Sequence, residues 1–352
     1  MKVAWIELGL MVGLASGCAA EEQAPVGRKP AGFGAAWAEF MAPADIESAL
    51  PLLASHDVAV NVAWPSESLE SEERMTLARR AEEQGVEVRP WLLLPEADGY
   101  WPGSTNASLF SASARALMDR WQAEGLAPTT LVVDMELEKG RADELTAHLT
   151  AHDVLAAVGL LKSGIDPTRY AEATEEYATL VSEAKGRGWK VHLTTLPQVV
   201  DDYADGDDSL RQAFGIPVEG IDWDRVTFQA YRTLFGDLLG KGQPPTSYFV
   251  YAYAVDAQKH FGSRAGLDVG MVGHGVTPAS TYAQGADLLS DLGAAASAGV
   301  PRELLDVYNL DGVVSRAPAE QWLTAPQPGQ PPPEDDVTLA IRNDVALLDG
   351  VL

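Results

Sequence analysis

The sequence predicts an α/β protein, a (β/α)₈ TIM barrel formed by a single domain. First, strand-like and helix-like segments alternate from residue 32 to residue 324 without an internal linker. Second, there are eight such strand segments, the number of a closed barrel. Third, no GxGxxG or GxxxxGK[ST] turn follows an early strand, which disfavours an open doubly wound sheet. No repeat period typical of a solenoid is present.

The elements follow one another in a regular order. The eight predicted strands are short apolar or alternating runs at residues 32–41, 58–64, 86–95, 131–138, 190–197, 225–233, 266–273 and 304–314. The predicted helices repeat apolar residues at helical spacing and lie at residues 44–55, 68–84, 108–124, 141–161, 167–186, 247–262, 282–298 and 318–324. A Pro-rich segment and a C-terminal helix, which either packs back or hangs free, complete the chain at residues 325–352.

The N-terminus carries the only cysteine, Cys18. It follows an apolar run that ends in small residues, and residues 1–18 therefore resemble a bacterial lipoprotein signal peptide whose cysteine becomes lipidated. Residues 19–31, with Pro, Gly and charged side chains, are typical of a linker. We expect an exported protein of the cell envelope, held by a lipid on Cys18 at the outer membrane or cell surface.

The charge limits the partners that we expect. There are 25 Lys and Arg against 51 Asp and Glu, a formal charge of −26. Such a surface repels polyphosphate, which excludes nucleic acid as an expected partner. The expected contacts are a carbohydrate substrate and the membrane, the latter through the lipid anchor.

The fourth strand segment, LVVDMELE at residues 131–138, is the most informative one. Its odd positions are aliphatic, whereas Asp134, Glu136 and Glu138 share the opposite face. Several carboxylates on one face resist desolvation, so such a strand either lies at a sheet edge with a solvated acidic face or opens into a polar cleft. Active sites of these barrels lie at the carboxyl ends of the strands, so we predict an acid/base site there.

Other strands also end in polar and aromatic residues. A pyranose offers apolar CH faces and a rim of hydroxyls, which aromatic, amide and carboxylate side chains bind. A glycosidic bond is cleaved when one carboxylic acid protonates the leaving oxygen and a second group stabilises the oxocarbenium-like centre. We therefore assign Glu138 as the candidate acid, with Glu136 and Asp134 beside it, and name as candidate substrate-binding residues Trp37, Glu39, Trp91, Gln229, Tyr308 and Asn309.

These residues resemble a known family. Asp134-Met-Glu136-Leu-Glu138 is similar to the DxDxE strand-four motif of the chitinase-like family-18 glycoside hydrolases, and Gln229-Ala-Tyr231 is similar to their strand-six pattern. The resemblance implies Glu138 as proton donor, Glu136 as the middle acid and Tyr231 as the hydroxyl that supports the substrate's N-acetyl group. A family-25 lysozyme-like interpretation also has a DxE strand and expects an acid at the end of the first strand, where Glu39 lies.

Two alternatives to a glycoside hydrolase remain open. One is a barrel that only binds glycans or envelope partners. The other is a metal-dependent hydrolase that uses the strand-four acids, although we expect no cofactor and assign no metal ligand. The acidic segment 201–208 is also suited to Ca²⁺ but matches no EF-hand spacing. No Glu lies in residues 266–273, which disfavours a retaining enzyme with a strand-seven nucleophile.

Overall fold

The structure, a computed structural model, describes residues 32–238, 243–273, 281–316 and 318–352. Eight parallel strands follow one another in chain order, and the last pairs with the first to close a barrel. They are β1 (Ala35–Ala38), β2 (Ala59–Pro65), β3 (Val88–Leu93), β4 (Thr130–Met135), β5 (Lys190–Thr195), β6 (Arg225–Gln229), β7 (Ala265–Gly270) and β8 (Leu305–Tyr308). The predicted (β/α)₈ TIM barrel in a single domain is confirmed, and β4 lies between β3 and β5 rather than at an edge.

Helices connect the strands around the outside. They are α1 (Pro43–His56), α2 (Glu72–Gln84), α3 (Ala107–Ala123), α4 (Lys139–Thr150), α5 (Val154–Gly164), α6 (Pro167–Gly186), α7 (Gln198–Asp205), α8 (Ser209–Phe214), α9 (Arg232–Leu238), α10 (Tyr248–Phe261), α11 (Gly285–Ser297), α12 (Leu310–Ser315) and α13 (Asp336–Asp349). Side-chain caps start several of them: Ser71, Asp153 and Asp166 each accept a backbone N–H of the first turn.

The strands separate two apolar layers. On β4, Leu131, Val133 and Met135 point outward into the large core between barrel and helices. Val132 points inward, where it belongs to a smaller cluster with Trp37, Ala63, Trp91 and Leu93. The period-two pattern of the sequence thus places Asp134 on the inner face, as predicted.

Several predicted boundaries are wrong, among them the end of the sixth strand, which we predicted at residue 233 and which lies at Gln229. Strand β4 ends at Met135, so Glu136 and Glu138 follow the strand instead of lying within it. Strand β8 ends at Tyr308, because the Asn309 side chain accepts the Gly312 N–H and starts helix α12 where we predicted more strand. The acidic segment 201–208 after β5 belongs to α7 up to Asp205, and only its last three residues lie between α7 and α8.

The C-terminal helix packs back onto the barrel's outer layer. Ile341 of α13 is fully buried, and Arg342 forms 2.7 Å ion pairs with Asp201 of α7 and Asp256 of α10. The Pro-rich segment before it contacts α11, where the Gly329 N–H donates to Ser297 at 2.8 Å. Residues 325–352 therefore form part of the folded body.

The predicted signal peptide at residues 1–18, with Cys18, and the linker at 19–31 lie outside the described residues. Within the described ranges, no helix combines the length and apolar character needed to cross a bilayer.

Candidate functional site

A pair of acidic side chains meets one amide at the carboxyl ends of β4 and β6. The Gln229 Nε2 group donates to Asp134 Oδ1 at 3.0 Å and to Glu136 Oε1 at 2.8 Å. Asp134 is the last inward-facing residue of β4, and Glu136 follows two positions later. Strands β4 and β6 are not adjacent, because β5 lies between them, so the amide joins them across the barrel interior.

Burial raises the pKa of both carboxyl groups, Asp134 and Glu136. Desolvation raises the pKa of Asp134 well above its ordinary value, and the neighbouring Glu136 and Glu39 raise it further. Desolvation also raises the pKa of Glu136 to about 7, although the Gln229 hydrogen bond opposes this shift. Near neutral pH the pair therefore holds at least one proton, as a group that donates or accepts a proton must.

Glu138 lies at the rim, two residues beyond Glu136. It is half-buried and immediately precedes α4. A cavity of about 280 Å³, counted out to its opening to solvent, is bordered by Glu136, Glu138, Trp101, Ser104, Arg141 and Arg169. Its inner part has room for about one water molecule. The structure thus brings Glu136 and Glu138 to the same small polar cavity at the barrel mouth.

Glu39 occupies the opposite side of the mouth, just after β1. The Tyr308 hydroxyl donates to its Oε2 at 2.5 Å, and the Tyr100 hydroxyl donates to its Oε1 at 2.9 Å. Burial raises the pKa of Glu39, while the two tyrosine hydrogen bonds and Lys139 oppose the rise. Because Glu39 also raises the pKa of Glu136, the two carboxyls influence one another electrostatically.

Tyr231 follows β6, and its hydroxyl donates to Asp268 Oδ2 of β7 at 2.5 Å. Asp268 is fully buried, and its Oδ1 has no hydrogen-bond partner in the described part of the chain. Desolvation raises its pKa well above the ordinary value. The Tyr231 O–H bond therefore points toward the buried Asp268 carboxyl group. The lone pairs of the Tyr231 oxygen remain available to accept a hydrogen bond.

The remaining candidates are less accessible. Trp37 and Trp91 are each only 2% exposed and pack edge to face at 4.8 Å between ring centroids, inside the barrel. Asn309 is buried, and its side chain caps α12. Tyr308 is half-buried and packs against Tyr231, with ring centroids 5.8 Å apart. In this arrangement the two tryptophans fill the barrel and offer no open ring face to a sugar.

Sequence reasoning overlooked several residues of this region. The alternation of residues along β7 could have identified Asp268. Leu267 and Val269 point into the outer core, so the residue between them faces the barrel interior. No sequence pattern identifies three further residues, because they lie on helices or loops whose packing determines the direction of their side chains: Arg141, Arg169 and Tyr100.

A candidate cation site lies between α7, α8 and α13. Within the described ranges, the acidic residues close enough to share one ion are Asp202, Asp207 and Asp349, outside the barrel mouth. Arg211 is ion-paired with Asp202 there, which already supplies a positive charge. The carboxyls at the end of β4 form no such group among the described residues.

Comparisons with known proteins identify the fold. No family model and no curated sequence matches this chain. Among solved structures, a GH18 chitinase from Pseudoalteromonas aurantia superposes with a TM-score of 0.50 at 12% identity, covering 82% of this chain and 97% of that one. The PgaB (BpsB) glycoside hydrolase domain from Bordetella bronchiseptica gives 0.49 at 13%, covering 83% and 99%.

Barrels of other activities are also similar. A D-allulose 3-epimerase from Methylomonas sp. gives a TM-score of 0.44 at 10% identity, covering 92% of this chain and 99% of that one. The distant resemblance to family-18 barrels is thus confirmed at the level of the fold. At such identities the fold does not determine the reaction.

Proposed function

We propose that this chain is an exported lipoprotein whose glycoside hydrolase-like barrel cleaves glycosidic bonds of a polysaccharide or cell-wall glycan. Glu138 acts as general acid, and Glu136, Asp134 and Tyr231 complete the catalytic group. Of the candidate substrate-binding residues, the half-buried Glu39 and Tyr308 are the ones proposed to contact the sugar, and the buried residues pack around them: Trp37, Trp91, Gln229 and Asn309. The proposal names a carbohydrate as the substrate and requires no cofactor.

One observation carries this proposal: Glu136 and Glu138 border the same cavity at the carboxyl end of the barrel. Glycosidic cleavage needs one carboxyl that holds a proton and a second group that balances developing positive charge. Near pH 7, Glu136, whose pKa burial raises to about 7, is ionised in about half of the molecules, and this ionised form supplies the balancing negative charge. Glu138 lies closer to the opening, where a leaving-group oxygen is accessible to it.

The non-catalytic alternative also has an observation in its favour. Trp37 and Trp91 are buried, and the inner cavity admits about one water molecule. A barrel with a filled mouth binds a glycan at its rim without enclosing the scissile bond. Glycan binding that persists in Glu138→Gln, without any turnover by the wild type, supports this second function.

The test of the first function is hydrolysis of a panel of neutral, acidic and N-acetylated glycans by the wild type and Glu138→Gln. The proposal predicts turnover of at least one glycan and a loss of about 100-fold or more in the variant. Glu172→Gln, on the exposed face of α6, is the matched control and keeps full activity. Equal turnover by wild type and Glu138→Gln contradicts the assignment.

The envelope location is the second part of the proposal. The described chain enters β1 from the amino end of the strands, opposite the mouth. A linker of residues 19–31 spans at most about 45 Å when extended, so a lipid on Cys18 keeps the barrel near the membrane. Incorporation of a labelled fatty acid into the wild type but not into Cys18→Ser tests this part.

A further inference from the structure

Two arginines from different helices lie on the wall of the cavity that Glu136 and Glu138 border. Arg141 belongs to the first turn of α4, and Arg169 belongs to the first turn of α6. Gly164, the last residue of α5, has no Cβ, and the Arg141 guanidinium lies against its backbone in the space that a Cβ would occupy. This close packing fixes the position of the guanidinium beside the cavity.

Neither guanidinium has all its donors satisfied by the protein. Arg141 Nη2 donates to the Leu160 carbonyl at 2.8 Å, and the carboxylate with the largest electrostatic effect on this guanidinium is Glu138, which borders the same cavity. Arg169 Nη2 donates to the Gly164 carbonyl at 3.0 Å, with Asp166 at 3.7 Å from Nη1. The Arg169 Nε group is buried and has no hydrogen-bond partner among the described residues. The Arg169 Nε–H is therefore a donor that an acceptor on a ligand can satisfy.

The electrostatics of the wall point to the same conclusion. Burial lowers the pKa of Arg141; nearby Glu138 opposes this effect, whereas the like-charged Arg169 adds to it. Two guanidiniums held near each other repel, and a bound anion that accepts hydrogen bonds from both removes the repulsion. Because Glu136 remains largely protonated below about pH 7, the positive charges then exceed the negative ones on this wall.

We propose that the cavity beside Arg141 and Arg169 binds the carboxylate of an acidic sugar unit, so that glycans of the uronic-acid class are the preferred substrates. This inference rests on the proposed function, since it names the substrate class of the same site. The inner space accommodates one carboxylate oxygen in place of a water, and the sugar ring stays at the opening next to Glu138. The planar carboxylate matches the fork of a guanidinium.

The experiment measures binding by isothermal titration calorimetry of three tetrasaccharides that share a β-1,4 backbone and carry glucuronic acid, glucose or glucosamine. Short oligosaccharides and about 150 mM salt limit repulsion by the chain's net charge of −26, since the screening length is then about 8 Å. The full chain is used as the wild type, Arg141→Gln, Arg169→Gln and Arg80→Gln. Arg80 is an exposed residue of α2 and serves as the control.

We expect the wild type to bind the glucuronic acid tetramer at least 10-fold more tightly than the glucose tetramer. Arg141→Gln and Arg169→Gln each remove that difference, while Arg80→Gln keeps it. Equal affinities in the wild type, a preference for glucosamine, no measurable binding of the acidic tetramer, or arginine variants that bind like the wild type each overturn the proposal. If a variant fails to fold, the two affinities of the wild type decide: a preference of less than 10-fold for the acidic tetramer over the neutral one overturns the proposal.

The binding measurement needs no turnover, so it separates the two proposals. Arginine-dependent binding of the acidic tetramer without hydrolysis of any glycan overturns the proposed hydrolase and leaves the anion subsite in place. Hydrolysis of neutral glycans, with no preference for acidic ones in binding, supports the proposed hydrolase and overturns the anion subsite.

Discussion

Gln229 on β6 donates its side-chain amide to Glu136 at 2.8 Å, just beyond the end of β4. The second N–H of the same amide group reaches Asp134 at 3.0 Å. The neutral Gln229 amide thus holds the two carboxyl groups close together. Because they are desolvated there, ionising both at once is energetically unfavourable. The pairing of β6 with the end of β4 through Gln229 therefore determines how close the two carboxyl groups lie, and their closeness affects which of them is protonated.

The first prediction concerns Glu136 and pH. Its pKa is raised to about 7 in the folded chain, above the ordinary value of 4.5. The folded state therefore binds more protons between these values, and the stability that Glu136 contributes is lost as the pH rises from about 4.5 to 7. Glu136→Gln keeps a carbonyl acceptor for Gln229 without titrating. We expect it to raise the free energy of unfolding at pH 7.5 by roughly 1 to 3 kcal/mol.

Urea denaturation at pH 4.5, 6 and 7.5 measures this difference, with Glu172→Gln as the control at an exposed site. The difference between Glu136→Gln and wild type shrinks toward zero at pH 4.5, where the wild-type carboxyl is protonated. A variant that is less stable than the wild type by the same amount at every pH contradicts the assigned titration.

The second prediction compares two glycines. A Cβ on Gly266 of β7 would meet Arg225 and come within 2.9 Å of the Leu304 carbonyl. Arg225 cannot withdraw, because it is buried and paired with Asp306 at 3.2 Å. Gly266→Ala is therefore expected to lower the free energy of unfolding by about 1 to 3 kcal/mol.

Gly159 in α5 is the matched control, since a Cβ there has no neighbour within 4 Å. Gly159→Ala is expected to raise the free energy of unfolding by about 0.4 to 1 kcal/mol through its higher helix propensity. Urea denaturation of both variants decides. Similar effects of both substitutions would show that the barrel has room beside Arg225.

The third prediction concerns the buried ion pair between Arg232, the residue after Tyr231, and Asp291. Arg232 Nε contacts both carboxylate oxygens of Asp291 at 2.9 and 2.6 Å, and Tyr282 donates to the same buried carboxylate. Breaking a buried pair leaves an uncompensated charge, so Asp291→Asn is expected to cost about 3 kcal/mol of unfolding free energy. A double-mutant cycle with Arg232→Met measures the coupling between the two residues. Additive effects of the two substitutions are inconsistent with this pairing.

The fourth prediction concerns the C-terminal helix. Arg342 joins α13 to α7 and α10 through Asp201 and Asp256, and its guanidinium lies 5.1 Å from the ring centroid of Tyr253. Arg342→Gln is expected to speed hydrogen exchange in residues 336–349 and to expose residues 325–335 to protease. Arg80→Gln on α2 is the control. Unchanged exchange in residues 336–349 would show that buried apolar residues alone hold the helix.

Much of the fold follows from local sequence pattern. Strand β2 at 59–65 and strand β5 at 190–195 agree with the predictions within two residues, because apolar runs and turn residues mark them. The inward direction of Asp134 follows from the period of two. The end of β8 does not, because it depends on one side chain, Asn309, that caps a helix with an apolar sequence.

The site is harder to predict than the fold, since its partners are far apart in the chain. Glu39 and Tyr308 are separated by 269 positions, and Gln229 and Glu136 by 93. The sequence identifies Gln229 and Glu136 as candidates for the same barrel mouth. Which atoms meet, and how deeply burial changes each pKa, depends on the packing of several strands at once.

The central claim is that Glu138 protonates the leaving oxygen of a glycosidic bond. The most direct measurement compares kcat/KM for a sugar leaving group and for a 2,4-dinitrophenyl leaving group, which departs without a proton, in the wild type and Glu138→Gln. We expect Glu138→Gln to lose about 100-fold or more in kcat/KM with the sugar leaving group and less than about 10-fold with the dinitrophenyl group. Equal losses on both substrates, or no loss on either, would contradict it.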